Sequence, residues 1–315
     1  MNLAYKIWEE KYRPSRVADV ILPARIKNKF QQFVNSGEIE GSLLLCGGSG
    51  CGKTSIARAV LEEIGAEYMF VNASLNGNID TLRYEIQDFA VSMSLDGGRK
   101  YVILDEGDRL SQATQEALRG FIEEYSISTS FIITCNTKSK IIGAIQSRFD
   151  TIDFDFNPSE VSELKTAMFK RMSGLLKTEE VTFDREVVAD IINKHFPDFR
   201  KIIITLQGAA KAGNGSINAE SINKRLEDNF DALMGLIKTR RWIDCKTWLQ
   251  DNSTVSVPEI FRKMYDTADK YLKESSIPLM IILSAKYQYQ AAFVADQEVN
   301  LMSYFIECMA DLEFL

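Results

Sequence analysis

Residues 46 to 54 read CGGSGCGKT, directly after the apolar run SLLL. Glycines so dense suit a main chain that must turn sharply and aim several N–H groups at one anion. The spacing of Gly47, Gly50, Gly52, Lys53 and Thr54 is that of a phosphate-binding loop, which leaves a buried strand and opens a helix. In such a loop Lys53 reaches the β- and γ-phosphates and the Thr54 hydroxyl ligates Mg²⁺, with Cys51 and Ser55 in the same cradle. The helix must start at once and add the positive end of its dipole. Ile56, Ala57, Val60, Leu61 and Ile64 supply the apolar stripe it needs.

Around this loop, from residue 42 to about 155, short apolar runs alternate with amphipathic stretches. The strand candidates are SLLLC, YMFV, YVIL, SFIIT and TIDF. Such alternation predicts an α/β fold with a doubly wound parallel sheet, ligands binding at the carboxyl ends of its strands. The pattern changes at FNPSE, where Asn157, Pro158 and Glu160 suit the N-cap, first turn and reciprocal cap of a helix. Beyond it the periodicity is helical, with no convincing strand. The polar stretch KAGNGS closes a small helical domain, and one short helix is expected before a second all-helical block. The expected division is an α/β nucleotide-binding domain at 1–156, a small helical domain at 157–226 and a second helical domain at 227–315.

Composition narrows the function. A net charge of -7 gives no global basic footprint, so any nucleic-acid contact must come from a local patch or a surface shared with partners. The five cysteines are scattered without zinc-ligand spacing and there is one histidine, His195, which points away from a metal site and toward a reducing compartment. The longest apolar run, near IPLMIILSA, is too short to span a bilayer.

Further motifs choose among phosphate-loop proteins. YVILDEGD ends a predicted strand in Asp105, placed to serve the metal, with Glu106 beside it to orient and deprotonate a water. FIITCN places Asn136, with Thr134, at the end of another strand, where an amide can touch the γ-phosphate or the attacking water. The following residues, NTKS, lack the Asn-Lys-x-Asp pattern of a guanine site. In IQSRFD, Arg148 sits where it could reach a neighbouring subunit's nucleotide.

Taken in order, WEEKYRPSRVADVI, GGSGCGKTSIARA, VILDEGDRL, IITCN, IQSRF and FPDFRK resemble the boxes of AAA+ clamp-loader ATPases, in particular the large subunits of tailed-bacteriophage sliding-clamp loaders, related to replication factor C. The likeness is strong over the first 205 residues and weaker, at AAFVADQEVNL, in the last block. It implies an ATP- and Mg²⁺-dependent, DNA-stimulated ATPase that opens a sliding clamp, loads it on primer–template DNA and releases it on hydrolysis. The implied partners are the clamp, the DNA and other loader subunits in a hetero-pentamer, with DNA polymerase served indirectly, no membrane, and the host cytoplasm as location. By position, Tyr12 and Arg13 match the box flanking the adenine, Asn136 the first sensor, Arg148 the arginine finger acting in trans, and Arg200 the second sensor. Arg83 and Lys140 match positions that face DNA phosphates, and Arg109 and Arg119 are further DNA candidates. Gln115 and Arg119 lie on a helix that could couple DNA to ATP. Gly107 departs from the usual Ala of the acidic box, and Phe149 from the usual Cys after the finger.

Two rival readings differ in kind. Another AAA+ machine, such as a branch-migration helicase, should lack the EKYRP box and end in a winged helix. A nucleotide-binding assembly protein that does not hydrolyse has no use for Glu106 and Arg148.

Overall fold

Leu43 and Leu45 enter one apolar cluster while Leu44 and Cys46 enter another, because successive strand residues point to opposite faces and both faces here are covered. The computed structural model describes residues 7–73, 79–92, 98–252, 255, 257–294 and 296–315, with backbone alone for 79–83, 223–228 and 251. The first part of the chain runs α1 (Trp8–Lys11), α2 (Ala24–Ser36), β1 (Ser42–Cys46), α3 (Lys53–Glu63), β2 (Tyr68–Asn72), α4 (Ile79–Val91) and β3 (Lys100–Asp105). It continues through α5 (Gln112–Tyr125), β4 (Thr129–Cys135), α6 (Gly143–Gln146) and β5 (Phe149–Asp153).

Among the described residues these five strands form one sheet of order β2-β3-β4-β1-β5, and every pairing in it is parallel. The expected doubly wound α/β fold is what forms. α2 and α3 cover one face through Ile26, Phe30, Ile56 and Val60. α4, α5 and α6 cover the other through Ile86, Leu118, Phe121 and Ile145. The order reverses beside β1, so the loop after β1 opens at the switch point where such sheets bind ligands.

From residue 157 the chain turns helical, with α7 (Pro158–Thr178), α8 (Arg185–His195) and α9 (Phe199–Ala212). The Asn157 N–H donates to Glu160 Oε2 at 2.9 Å, the reciprocal half of the expected capping box. The expectation of no strand here is corrected by β6 (Thr182–Phe183) and β7 (Ser216–Ile217), which pair in parallel. Two residues per strand are too few to leave a periodic signal.

The chain forms two compact units, 1–217 and 218–315. The second contains α10 (Ala219–Lys238), α11 (Trp242–Asp251), α12 (Val257–Asp266), α13 (Ala268–Tyr271), α14 (Ile277–Ala291) and α15 (Gln297–Asp311). α10 has 20 residues, in place of the short helix expected. The unit's core gathers Leu233, Ile237, Phe261, Tyr304 and Phe305, and the Tyr304 and Ser284 hydroxyls share a buried hydrogen bond of 2.7 Å. Tyr289 and Phe293 stay exposed. Among the described residues no helix is long and apolar enough to cross a membrane.

Candidate functional site

Lys53 opens α3 and is 7% exposed, yet its ammonium meets only neutral acceptors. Nζ donates to the carbonyls of Gly47 at 2.8 Å and Gly48 at 2.7 Å, and to Asn136 Oδ1 at 3.1 Å. Among the described residues no carboxylate lies within ion-pair range of it. A buried cation without counter-charge is costly, so the loop fits an anion. Asn136 follows β4, and Lys53 opens the helix after the β1 loop; β4 and β1 are neighbours in the sheet, which brings the two side chains together.

The acidic pair follows β3. Asp105 Oδ1 accepts the Thr54 hydroxyl at 2.6 Å and the Thr134 hydroxyl at 2.7 Å, a set of hard oxygens suited to Mg²⁺. The Glu106 N–H donates to Thr134 Oγ1 at 3.1 Å. Glu106 is left-handed, with φ 57°, a conformation that costs a non-glycine residue about 1 kcal/mol or more and clusters at functional sites. Its Oε2 pairs with Arg109 Nε at 2.9 Å. A Cβ on Gly107 would lie 2.6 Å from Ile133 Cγ2, so the departure from Ala lets this turn lie against β4.

The N-terminal segment and the helices after residue 157 close over the loop. The Phe199 N–H donates to the Gly50 carbonyl at 3.0 Å. Gly50 is left-handed (φ 69°), and a Cβ there would fall 1.8 Å from Asp198 Oδ1. Only glycine allows this approach. Asp198 in turn caps α9 through the Lys201 N–H. Arg200, in the first turn of α9, pairs with Glu9 of α1, Nε to Oε1 2.6 Å.

The Tyr12 hydroxyl donates to Glu179, which also pairs with Lys11 Nζ at 2.5 Å. Burial alone would raise the Glu179 pKa, but the hydrogen bonds from Lys11 and Tyr12 prevail and hold it below the usual carboxylate range. Burial, then Glu179, pushes the Tyr12 phenol up. Arg171 of α7 donates to the carbonyls of Tyr12, at 3.0 Å, and Asp19. Val20, Ile21, Met168 and Met172 give the same cavity an apolar wall that suits a flat base.

One cavity thus gathers Tyr12, Arg13, Gly50, Cys51, Gly52, Lys53, Thr54, Ser55, Asp105, Glu106, Asn136 and Arg200. Gly47 contributes the carbonyl under Lys53. Arg148 lies outside that lining; it is partly exposed, pairs with Glu123 of α5 at 2.5 Å and donates to the Ala144 carbonyl at 2.7 Å. Of the DNA candidates, Arg109 touches Glu106, Arg119 Nε lies 3.9 Å from Glu116 Oε2, and Lys140 is exposed. Arg83 has its backbone in α4, and its side chain falls outside the described residues. Gln115 is buried in α5; its Nε2 donates to the carbonyls of Leu110 and Lys140, and its Oε1 accepts from the Ile142 N–H. It ties the helix to the segment after Asn136. Sequence reasoning missed Glu9, Arg171 and Glu179, whose partners lie more than a hundred residues away and leave no local spacing.

Residues 43–155 match the ATPase family associated with various cellular activities (AAA). The whole chain is similar to the sliding-clamp-loader large subunit of Enterobacteria phage T4, with 33% identity over 322 residues, covering 100% of this chain and 99% of that protein. It is also similar to the replication factor C small subunit of Thermoplasma volcanium, 34% identical over 262 residues, covering 78% of this chain and 79% of that one. Among solved structures, the Thermotoga maritima RuvB Holliday junction branch migration motor matches with a TM-score of 0.53 and 18% identity, over 73% of this chain and 80% of that one. That last likeness concerns the fold alone.

Proposed function

The chain belongs to the family of sliding-clamp-loader large subunits, AAA ATPases of DNA replication, and from that premise we propose that it is the ATP-hydrolysing motor of its loader. In this reading the chain opens a sliding clamp, places it on primer–template DNA and lets go on hydrolysis. The observation that carries it is the buried Lys53 ammonium, which lacks a carboxylate partner among the described residues and stands at a glycine loop between the acids of β3 and the amide of Asn136.

Each side chain then has a role. Lys53, Asn136 and Arg200 hold the γ-phosphate, and Tyr12 and Arg13 flank the adenine. Mg²⁺, held through Thr54 and Asp105, neutralises phosphate charge when bound. Glu106 takes the proton from the attacking water. Arg148 reaches the nucleotide of the next subunit, for which its exposed position is suited. Arg83 and Lys140, with Arg109 and Arg119, meet the DNA backbone, and Gln115 links them to the Asn136 segment. We assign residues 1–156 to the ATPase domain, 157–217 to a lid and 218–315 to a collar. The compact units part between 217 and 218, which supports drawing the last boundary there and not after 226 as expected from the sequence. Several copies of the chain with one small subunit make a pentamer in the host cytoplasm.

The test is clamp transfer. The chain, purified with its small-subunit partner, is mixed with labelled clamp, primed circular DNA and ATP, and clamp retained on DNA is measured after gel filtration. Retention that needs ATP, and that is lost in Lys53→Ala, is expected. Equal retention without ATP would rule the motor role out.

A further inference from the structure

Arg200 is already engaged: its Nε lies 2.6 Å from Glu9 Oε1. Both residues line the cavity that holds Lys53 and Thr54. Glu9 is fixed from below, since its neighbour Trp8 is buried and the Trp8 N–H donates at 3.3 Å to Oε1 of Gln207, itself in α9. The short helix α1 and the helix α9 thus hold the two charges together.

We propose that Glu9 is the resting counter-ion of Arg200, competing with the γ-phosphate for this guanidinium and so weakening ATP binding relative to ADP. This rests on the reading of Arg200 as a γ-phosphate contact. The guanidinium carries one positive charge, and while Glu9 holds it that charge is largely neutralised toward an incoming phosphate. Binding the third phosphate therefore requires the pair to part or to share. ADP makes no such demand and leaves the pair intact. After hydrolysis Glu9 recaptures Arg200, which favours the two-phosphate state. The Arg200 side chain is 51% exposed, so the effect is that of a solvent-screened pair, about two- to fivefold in affinity.

The experiment measures dissociation constants of Mg²⁺ complexes of ATPγS and ADP on the full chain. It compares the parent, Glu9→Gln, Arg200→Gln and the double variant. Glu9→Gln should tighten ATPγS about two- to fivefold and leave ADP unchanged. A merely structural role for Glu9 would shift both nucleotides together. Arg200→Gln should weaken ATPγS, and adding Glu9→Gln to it should change nothing more. Tightening that persists without Arg200 would mean direct repulsion of phosphate by Glu9, and would overturn the counter-ion role. So would an unchanged ATPγS constant in Glu9→Gln when Arg200→Gln weakens it. If Arg200→Gln itself leaves ATPγS binding unchanged, the γ-phosphate reading of Arg200 fails, and the competition fails with it.

Discussion

The Thr54 hydroxyl lies 2.6 Å from Asp105 Oδ1, and Thr134 reaches the same oxygen at 2.7 Å, so α3, β3 and β4 converge on one carboxylate atom. Mg²⁺ would be held here by the Thr54 hydroxyl oxygen, which keeps its proton, and by Asp105, whose carboxylate would supply the charge. Asp105→Asn keeps the shape and loses that charge. The half-saturating Mg²⁺ concentration for hydrolysis should rise about tenfold or more, the equivalent of ~1.4 kcal/mol. An unchanged Mg²⁺ dependence would move the metal away from Asp105.

Arg148 is held by Glu123 and by the Ala144 carbonyl, outside the cavity of its own subunit. Arg148→Ala should therefore leave nucleotide affinity intact and lower hydrolysis in the assembled loader by about 10³-fold. Mixed with a Lys53→Ala subunit whose finger is intact, it should regain part of the activity at shared interfaces. If no mixing ratio restores any activity, action in trans is wrong.

DNA binding can be separated from nucleotide binding. Arg83→Ala with Lys140→Ala should reduce the salt slope of DNA binding by about one unit for each phosphate that is no longer neutralised. The weakening should be uniform across sequences, since backbone contacts carry no base information, and basal ATP binding should be spared. The readout is half-saturation of hydrolysis by primer–template at two salt concentrations. Identical curves for parent and variant would take both residues off the DNA path.

Glu179 links the N-terminal segment to α7 through Lys11 and Tyr12, with its pKa held below the ordinary value of 4.5. A depressed folded-state pKa contributes stability that is present above the unfolded value and lost as pH falls through the folded one. Glu179→Gln should thus lower the unfolding free energy measured by urea titration at neutral pH, by on the order of 1 kcal/mol for a solvent-screened network. The gap should close as pH drops below the ordinary carboxylate range. A gap of constant size down to that acidity would remove Glu179 as its cause.

What could be read in the sequence was local. Gly47 to Thr54, the acids after YVIL and Asn136 are contiguous with strands whose apolar runs are unmistakable, because burial on both faces demands them. The capping residues Asn157 and Glu160 were legible for the same reason: they sit three positions apart. β6 and β7 were not, since two-residue strands offer no period. The contacts of Glu9 with Arg200, and of Arg171 with Tyr12, join distant parts of the chain. They arise from how α1 and the helices after residue 157 dock, which no local pattern encodes.

Steady-state phosphate release by the assembled loader is the most direct measure of the central claim. ATP hydrolysis should be slow alone and rise steeply when clamp and primer–template DNA are supplied together. Glu106→Gln should bind ATP as the parent does yet lose about 10²–10⁴-fold of that stimulated rate, because the amide cannot take the water's proton. A rate indifferent to clamp and DNA, or a Glu106→Gln variant as fast as the parent, would contradict the account.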